Sequence, residues 1–410
     1  MAALTAGGLV AAIGVGPACA DGTRDAQWVL ASYRADSALW PVSQGDGVTV
    51  AVIDSGVMKD HQDLVGQILP GADFSGEGSD GTVDKDGHGT GMASLIAGHG
   101  HGDNAGIMGL APKAKVLPVR VSWSSTDAVA QSGLARGIRF AVDRGAKVIN
   151  MSLGGYSGTD QETRAAVKYA VDHDVVLVAS NGNSGQQAAP VEYPAAFPGV
   201  VAVGAVDRQG HLWEKSTYGP ETTLTAPGAE VYRASAKSSA GYGVANGTSD
   251  STAYVSATAA LIRAKYPNLS AGQVVNRMIK TATPPVDGSA VPNDRYGYGV
   301  LAPAKALEAN PVVDNGPREN PLAGRKESQG APPVDDPTDG ASEEAVAPGA
   351  DGGGSSGNGM GVVVGAAAGG LAVVIGVVVV FVVRARRRRP AAGAYGPGPY
   401  QQPPRGGPYQ

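Results

Sequence analysis

The 410-residue chain has a single cysteine, Cys19, which rules out an intramolecular disulfide framework and any multi-cysteine zinc site. Aromatic residues are scarce at 5 %, and charged residues make up only 17 %. A formal net charge of −5 leaves no basic footprint and argues against nucleic acid as a partner. That average hides a split, because the chain from Arg384 onward holds six Arg and no acid, so the remainder is distinctly acidic. What is abundant is glycine and proline, 61 and 28 residues, more than one compact domain usually carries. Hydrophobic residues at 42 % are ample for a sizeable core, and the length suggests about two to three domain-sized units.

The ends read as targeting and anchoring segments. Residues 1–20 are apolar and small and finish in Ala18-Cys19-Ala20, the pattern of a signal peptide cut after Ala20, although the first base is Arg24. Residues 361–383, from Gly361 through Val383, form an uncharged Val/Ala/Gly-rich run. As a helix it spans roughly 34 Å, enough for a bilayer core of about 30 Å. Arg384 and Arg386 to Arg389 follow at once, and such a basic stop places residues 384–410 in the cytoplasm and everything N-terminal outside. The expectation is a single-pass cell-membrane protein with one C-terminal transmembrane helix and an extracytoplasmic domain. Residues 311–360, with nine acids, three bases and many Pro, Gly and Ser, read as a disordered stalk.

Residues 21–310 remain for one α/β domain. Apolar runs at 48–53, 147–151, 175–179 and 200–203 carry hydrophobic residues on both faces, as buried parallel strands do. Helical patterns fall at 89–97, 128–144, 163–173, 251–265 and 271–281, the last preceded by a Ser270/Gln273 capping box. The alternation predicts an open parallel sheet flanked by helices, with ligands gathering at the carboxyl ends of the strands.

Candidate chemistry sits at those ends. Asp54 follows the first strand, His88 lies between Gly87 and Gly89 at a helix start, and Ser249 lies directly before the helix over 251–265. Taken singly, these are also an ordinary turn, a loop histidine and a helix cap. Together, in the order Asp…His…Ser, they are the parts of a nucleophilic relay. A serine hydroxyl needs an adjacent base, histidine supplies one near neutral pH, and a buried carboxylate orients it. Asn183, at the end of another strand, has an amide suited to an oxyanion.

At this depth the region from Trp28 to Ala309 resembles the subtilisin-like serine proteases. The resemblance runs through Val52-Ile53-Asp54-Ser55-Gly56, His88-Gly89-Thr90, Asn150-Met151-Ser152-Leu153-Gly154, Gly182-Asn183, Tyr193-Pro194-Ala195-Ala196 and Gly247-Thr248-Ser249. With the leader, stalk, anchor and arginine stop, the whole chain is similar to the mycosins, membrane-anchored subtilases associated with type VII secretion. The resemblance implies a seven-stranded-type parallel sheet and hydrolysis of peptide bonds of exported proteins. It implies Ser249 as nucleophile, His88 as base, Asp54 as its orienter and Asn183 as oxyanion donor. Ser152, Leu153 and Gly154 match the segment that pairs with substrate backbone. Glu192, just before Tyr193, matches a position near the base of the specificity pocket. A carboxylate there favours Lys or Arg before the scissile bond; the alternative is a solvated rim residue.

Several residues depart from that pattern. Asp250 follows the serine where the family has a small or apolar residue; a carboxylate about 6 Å from an oxyanion opposes it by roughly 3 kcal/mol at an effective dielectric near 20. The alternative is an acid favoured by the helix dipole with its side chain turned away. The Ala-x-Pro usual after the serine is absent, and Gly91-Met92 stands in place of His-Val. The stretch before the first strand is too short for a folded inhibitory prodomain and is expected to pack on the domain through Trp28, Tyr33 and Trp40. His99 and His101 read as a mobile Gly-rich loop rather than a metal site. No cofactor is expected; calcium is possible, although no acidic loop has a diagnostic ligand spacing. Expected partners are protein or peptide substrates, the membrane and secretion-complex subunits. The rival expectation is a catalytically weak or inactive subtilase-fold scaffold.

Overall fold

The computed structural model describes residues 22–102, 104–122, 128–185 and 190–326. The strands are β1 (Thr49–Asp54), β2 (Ala72–Asp73), β3 (His99–His101), β4 (Ala105–Met108), β5 (Lys115–Arg120), β6 (Val148–Met151), β7 (Val176–Ser180), β8 (Val200–Val206), β9 (Thr222–Pro227), β10 (Val231–Ser235) and β11 (Gly241–Ala245). Seven of them form one parallel sheet in the order β2-β5-β1-β6-β7-β8-β9. Helices α1 (Thr23–Ala26) and α2 (Trp28–Ser32) precede the sheet, followed in the chain by α3 (His88–Ala97), α4 (Ala128–Asp143), α5 (Gln161–Asp172), α6 (Thr248–Lys265), α7 (Ala271–Thr281), α8 (Pro303–Leu307) and α9 (Pro311–Asp314).

The doubly apolar strands have a direct consequence. Successive side chains point to opposite faces, so Val50 and Val52 join one core while Ala51 and Ile53 join the other. Val176 and Val178 divide from Leu177 and Ala179 in the same way. Helices α3, α6 and α7 cover the first face, and α4 and α5 cover the second. The capping box at Ser270 and Gln273 forms as its sequence predicts.

Some expectations shift. Helix α6 begins at Thr248, so Ser249 lies inside its first turn rather than before it. The polar start of that helix carries no apolar periodicity to reveal it. Strands β5, β9, β10 and β11 lie outside the apolar runs read from the sequence. Pro118 interrupts the run in β5, and Thr222, Thr223 and Thr225 make β9 look polar although all three are buried. His99 and His101 belong to a short antiparallel hairpin, β3–β4, rather than a mobile loop. His101 Nδ1 is held 2.6 Å from the buried Asp63 carboxylate, and Asp63 Oδ2 accepts the Ile107 N–H.

The folded domain also continues past Asn310, where composition placed the start of the stalk. Arg277, fully buried, pairs with Asp314 through Nη2 at 2.7 Å and donates to the carbonyls of Ala306 and Glu308. Arg325 donates to the carbonyls of Ala195, Phe197, Val200 and Glu221. The segment is pinned by these guanidinium bonds together with only two buried apolar side chains, Val313 and Leu322, so its polar composition hid it. Trp28 and Trp40 donate their indole N–H groups to Glu230 and Leu110, and the Tyr33 ring meets Tyr254 edge-on, so the N-terminal stretch packs on the domain. The leader at 1–20, the later stalk, the 361–383 run and the basic tail lie outside the described residues. Among the described residues, no helix is long and apolar enough to cross a membrane.

Candidate active site

Asp54 closes β1 and is buried; its Oδ1 accepts the Ser55 N–H at 2.8 Å. His88 opens α3, with Nδ1 2.9 Å from Asp54 Oδ1 and 3.1 Å from Oδ2. A carboxylate facing Nδ1 fixes the proton there and leaves the lone pair on Nε2. Two glycines permit this approach. Gly87 turns the chain into α3 at a φ of 95°, and a β-carbon on Gly89 would collide with the Gly56 carbonyl and crowd Asp54. Burial works against the imidazolium, but the Asp54 carboxylate, by charge and by hydrogen bond, outweighs it. His88 is therefore held above its ordinary 6.5.

Asp84 was not singled out by the sequence reading, yet it holds this corner together. Its Oδ1 accepts the Ser55 hydroxyl at 2.9 Å and the Gly87 N–H at 2.8 Å, while Oδ2 accepts the Thr90 N–H at 2.9 Å. The Ser55 hydroxyl in turn accepts the Gly89 N–H at 3.0 Å. An acid three residues before the glycine of Gly87-His88-Gly89 was the available signal.

Ser249 sits in the first turn of α6, nearly buried, and donates its hydroxyl to the Ser152 carbonyl at 3.1 Å. Ser152 returns the link through its own hydroxyl, 2.9 Å from the Ser249 carbonyl. Behind it, Asn150 donates to the Ser152 hydroxyl and accepts from Ser256. Leu153 is buried, with its carbonyl taking the Ser180 hydroxyl at 3.2 Å.

Asn183 follows β7. Its Oδ1 accepts both the Thr248 N–H at 2.9 Å and the Thr248 hydroxyl at 3.1 Å. With the oxygen committed, the amide orientation is set and Nδ2 faces the other way. A β-carbon on Gly247 would lie 3.6 Å from the Ser249 nitrogen and 3.7 Å from Asn183 Nδ2. Glycine thus leaves open a space bordered by both nitrogens.

Glu192 reaches between two backbones. A β-carbon on Gly154 or on Gly182 would collide with its carboxylate, which accepts the Gly155 N–H. Partial burial raises the Glu192 carboxyl above its ordinary value, and that N–H partly offsets the rise. Glu192 is therefore tucked against the Ser152–Gly154 segment rather than out on a rim.

Asp250 is buried, with Oδ1 3.4 Å from Arg233 Nη1 on β10. Burial raises its carboxyl, while Arg233 and then His88 draw it down. Among the described residues, no group of three or more His, Cys, Asp or Glu side chains gathers as a metal site would. The site therefore joins Asp54 to His88, Ser249 to Ser152, Asn183 to the residue before Ser249, and Glu192 to Gly154. Asp54 ends β1, Ser152 follows β6 and Asn183 follows β7, so the site gathers at the carboxyl ends of the strands.

The subtilase family, peptidase S8, matches residues 45–299. Subtilisin DY of Bacillus licheniformis is 41 % identical over 248 residues, covering 58 % of this chain and 85 % of that protein. Among solved structures, the serine protease MycP1, an essential component of the type VII (ESX-1) secretion system, is similar with a TM-score of 0.62 at 30 % identity. That match covers 71 % of this chain and 90 % of that one. The MycP3 protease from the type VII (ESX-3) secretion system is similar with a TM-score of 0.59 at 32 % identity, covering 73 % and 90 %.

Proposed function

From the premise that this chain belongs to the subtilase family of serine proteases, we propose that it is a membrane-anchored endopeptidase that cleaves exported proteins through Asp54, His88 and Ser249. The observation that carries the reading is the buried Asp54 carboxylate bonded to His88 Nδ1, which leaves Nε2 as the base. In the reaction, His88 Nε2 takes the Ser249 proton as Oγ adds to the scissile carbonyl. Asp54 stabilises the imidazolium formed, and the new oxyanion is received by the Ser249 N–H and Asn183 Nδ2. His88 then gives the proton to the leaving amine, and water repeats the sequence on the acyl-enzyme. The positive end of α6 favours the anion. Substrate lies as an added strand beside the Ser152–Gly154 segment.

The Glu192 carboxylate behind Gly154 and Gly182 supports a preference for Lys or Arg before the cleaved bond. Membrane anchoring rests on the 361–383 run and its arginine stop. Service in a secretion complex rests on the likeness to MycP1 and MycP3. The test is labelling of the folded full chain by a fluorophosphonate probe, with Ser249→Ala as control. Label on the native chain and none on the variant is expected. A folded native chain that takes no label turns the reading to the scaffold, with Asp250 beside Ser249 as its cause.

A further inference from the structure

We propose that Arg233 and Asp250 form a buried counter-ion unit, admitted by the missing side chain of Gly91, that sets the charge balance around His88. The unit rests on the reading of His88 as the catalytic base, and both members are positioning residues that act through it.

Three elements meet to make the unit. Gly91 lies one turn after His88 in α3, on the same helix face. A β-carbon there would lie 2.8 Å from Arg233 Cδ, 3.0 Å from Nη1 and 3.1 Å from Nε, so any other residue would displace the guanidinium. Glycine inside a helix is a cost, and here it makes room for Arg233. Strand β10 is fastened to α3 by the Ala234 N–H on the Ser94 hydroxyl at 3.0 Å, which fixes the base of the arginine. Asp250, next to Ser249, completes the contact at 3.4 Å, with its side chain 2 % exposed and that of Arg233 19 %. Two of the positions that depart from the subtilase pattern, Gly91 and Asp250, thus meet through one arginine. A buried carboxylate beside the nucleophile is tolerable because a cation faces it.

The two members pull His88 in opposite directions, since Asp250 favours the imidazolium and Arg233 opposes it. Of the other charged groups nearby, Asp54 from β1 meets the imidazole, while Asp84 and Asp86, from the loop leading into α3, accept the backbone N–H groups of Gly87 and His88. On β5, Arg120 is engaged by Asp73 and Glu77. Tyr254 and Tyr33 stand behind Asp250, and burial holds both phenols protonated.

The test uses the full chain and two variants, Asp250→Asn and the double variant Asp250→Asn/Arg233→Gln. Arg233 is not removed alone, because that strands a buried carboxylate. The readout is the pH midpoint for carbethoxylation of His88 by diethyl pyrocarbonate, measured on the His88 peptide by mass spectrometry. Fluorophosphonate labelling of Ser249 is followed in parallel. Asp250→Asn leaves the guanidinium unopposed and is expected to lower the His88 midpoint by about half a unit or more. The double variant is expected to return it to within about 0.2 unit of the native chain. A midpoint that stays put or rises in Asp250→Asn overturns the proposal, as does lost stability with an unmoved midpoint. If the double variant does not fold, the sign in Asp250→Asn decides alone. Midpoints that move as expected in a native chain that never labels at Ser249 would sustain the ion pair and remove the protease reading.

Discussion

Asn183 offers the sharpest test of the site. Its oxygen is committed to the Thr248 N–H and hydroxyl, so its amide nitrogen borders the space left by Gly247. Asn183→Leu removes that donor while roughly keeping the side-chain volume. Loss of one preorganised donor to a developing oxyanion raises the barrier by about 2.7–4 kcal/mol, or about 10²–10³-fold in kcat. KM should change little, because the ground-state carbonyl does not reach the same position. The substitution also leaves the Thr248 donors without their acceptor. Thr248 is buried, so the stability cost should be about 1–3 kcal/mol, which the melt reads separately from kcat. The assay is steady-state cleavage of a chromogenic peptide, with a thermal melt on the same sample. A variant whose kcat stays within about threefold of native, while Ser249→Ala is inactive, would refute the role of Asn183.

Because Asp54 holds the His88 imidazolium above its ordinary 6.5, the acidic limb of kcat/KM should lie above that value, with activity rising as pH rises through it. A limb at or below 6.5 contradicts the electrostatics. The stabilisation from the charged His88–Asp54 pair has the opposite sign: present below the unfolded histidine value, and lost as pH rises through the folded one. Glu192→Gln should abolish any preference for Arg over Leu before the cleaved bond. In the native chain that preference should fade on acidification sooner than for a free glutamate, because burial raises Glu192; equal Arg/Leu ratios in native and variant remove the idea. Gly91→Ala should push Arg233 out of contact with Asp250 and lower the melting temperature, although alanine is the better helix former. Arg277→Ala, which strands Asp314 and two carbonyls, should cost about 3–5 kcal/mol in a urea melt.

Much of this molecule was legible along the chain. Doubly apolar runs such as 48–53 and 175–179 specify a sheet buried on both faces, because a period of two sends alternate valines to opposite cores. Residue types with a unique chemical use, Asp54, His88 and Ser249, stood out at the ends of those elements. Polar pinning was not legible. Arg325 holds residues beyond Asn310 through carbonyls that belong to distant segments, and Asp84 acts through backbone N–H groups. Backbone donors and acceptors are the same at every position, so sequence says nothing of which will meet.

Local pattern and residue chemistry therefore determined the sheet, the helices and the candidate relay. Tertiary structure alone decided what Asp250 and Glu192 would face. Asp250 meets Arg233 because β10, invisible as an apolar run, lies across α3 where Gly91 leaves a gap. Glu192 meets two glycines from different strand ends. The environment of a charge depends on neighbours remote in sequence, and only the packed chain brings them within reach.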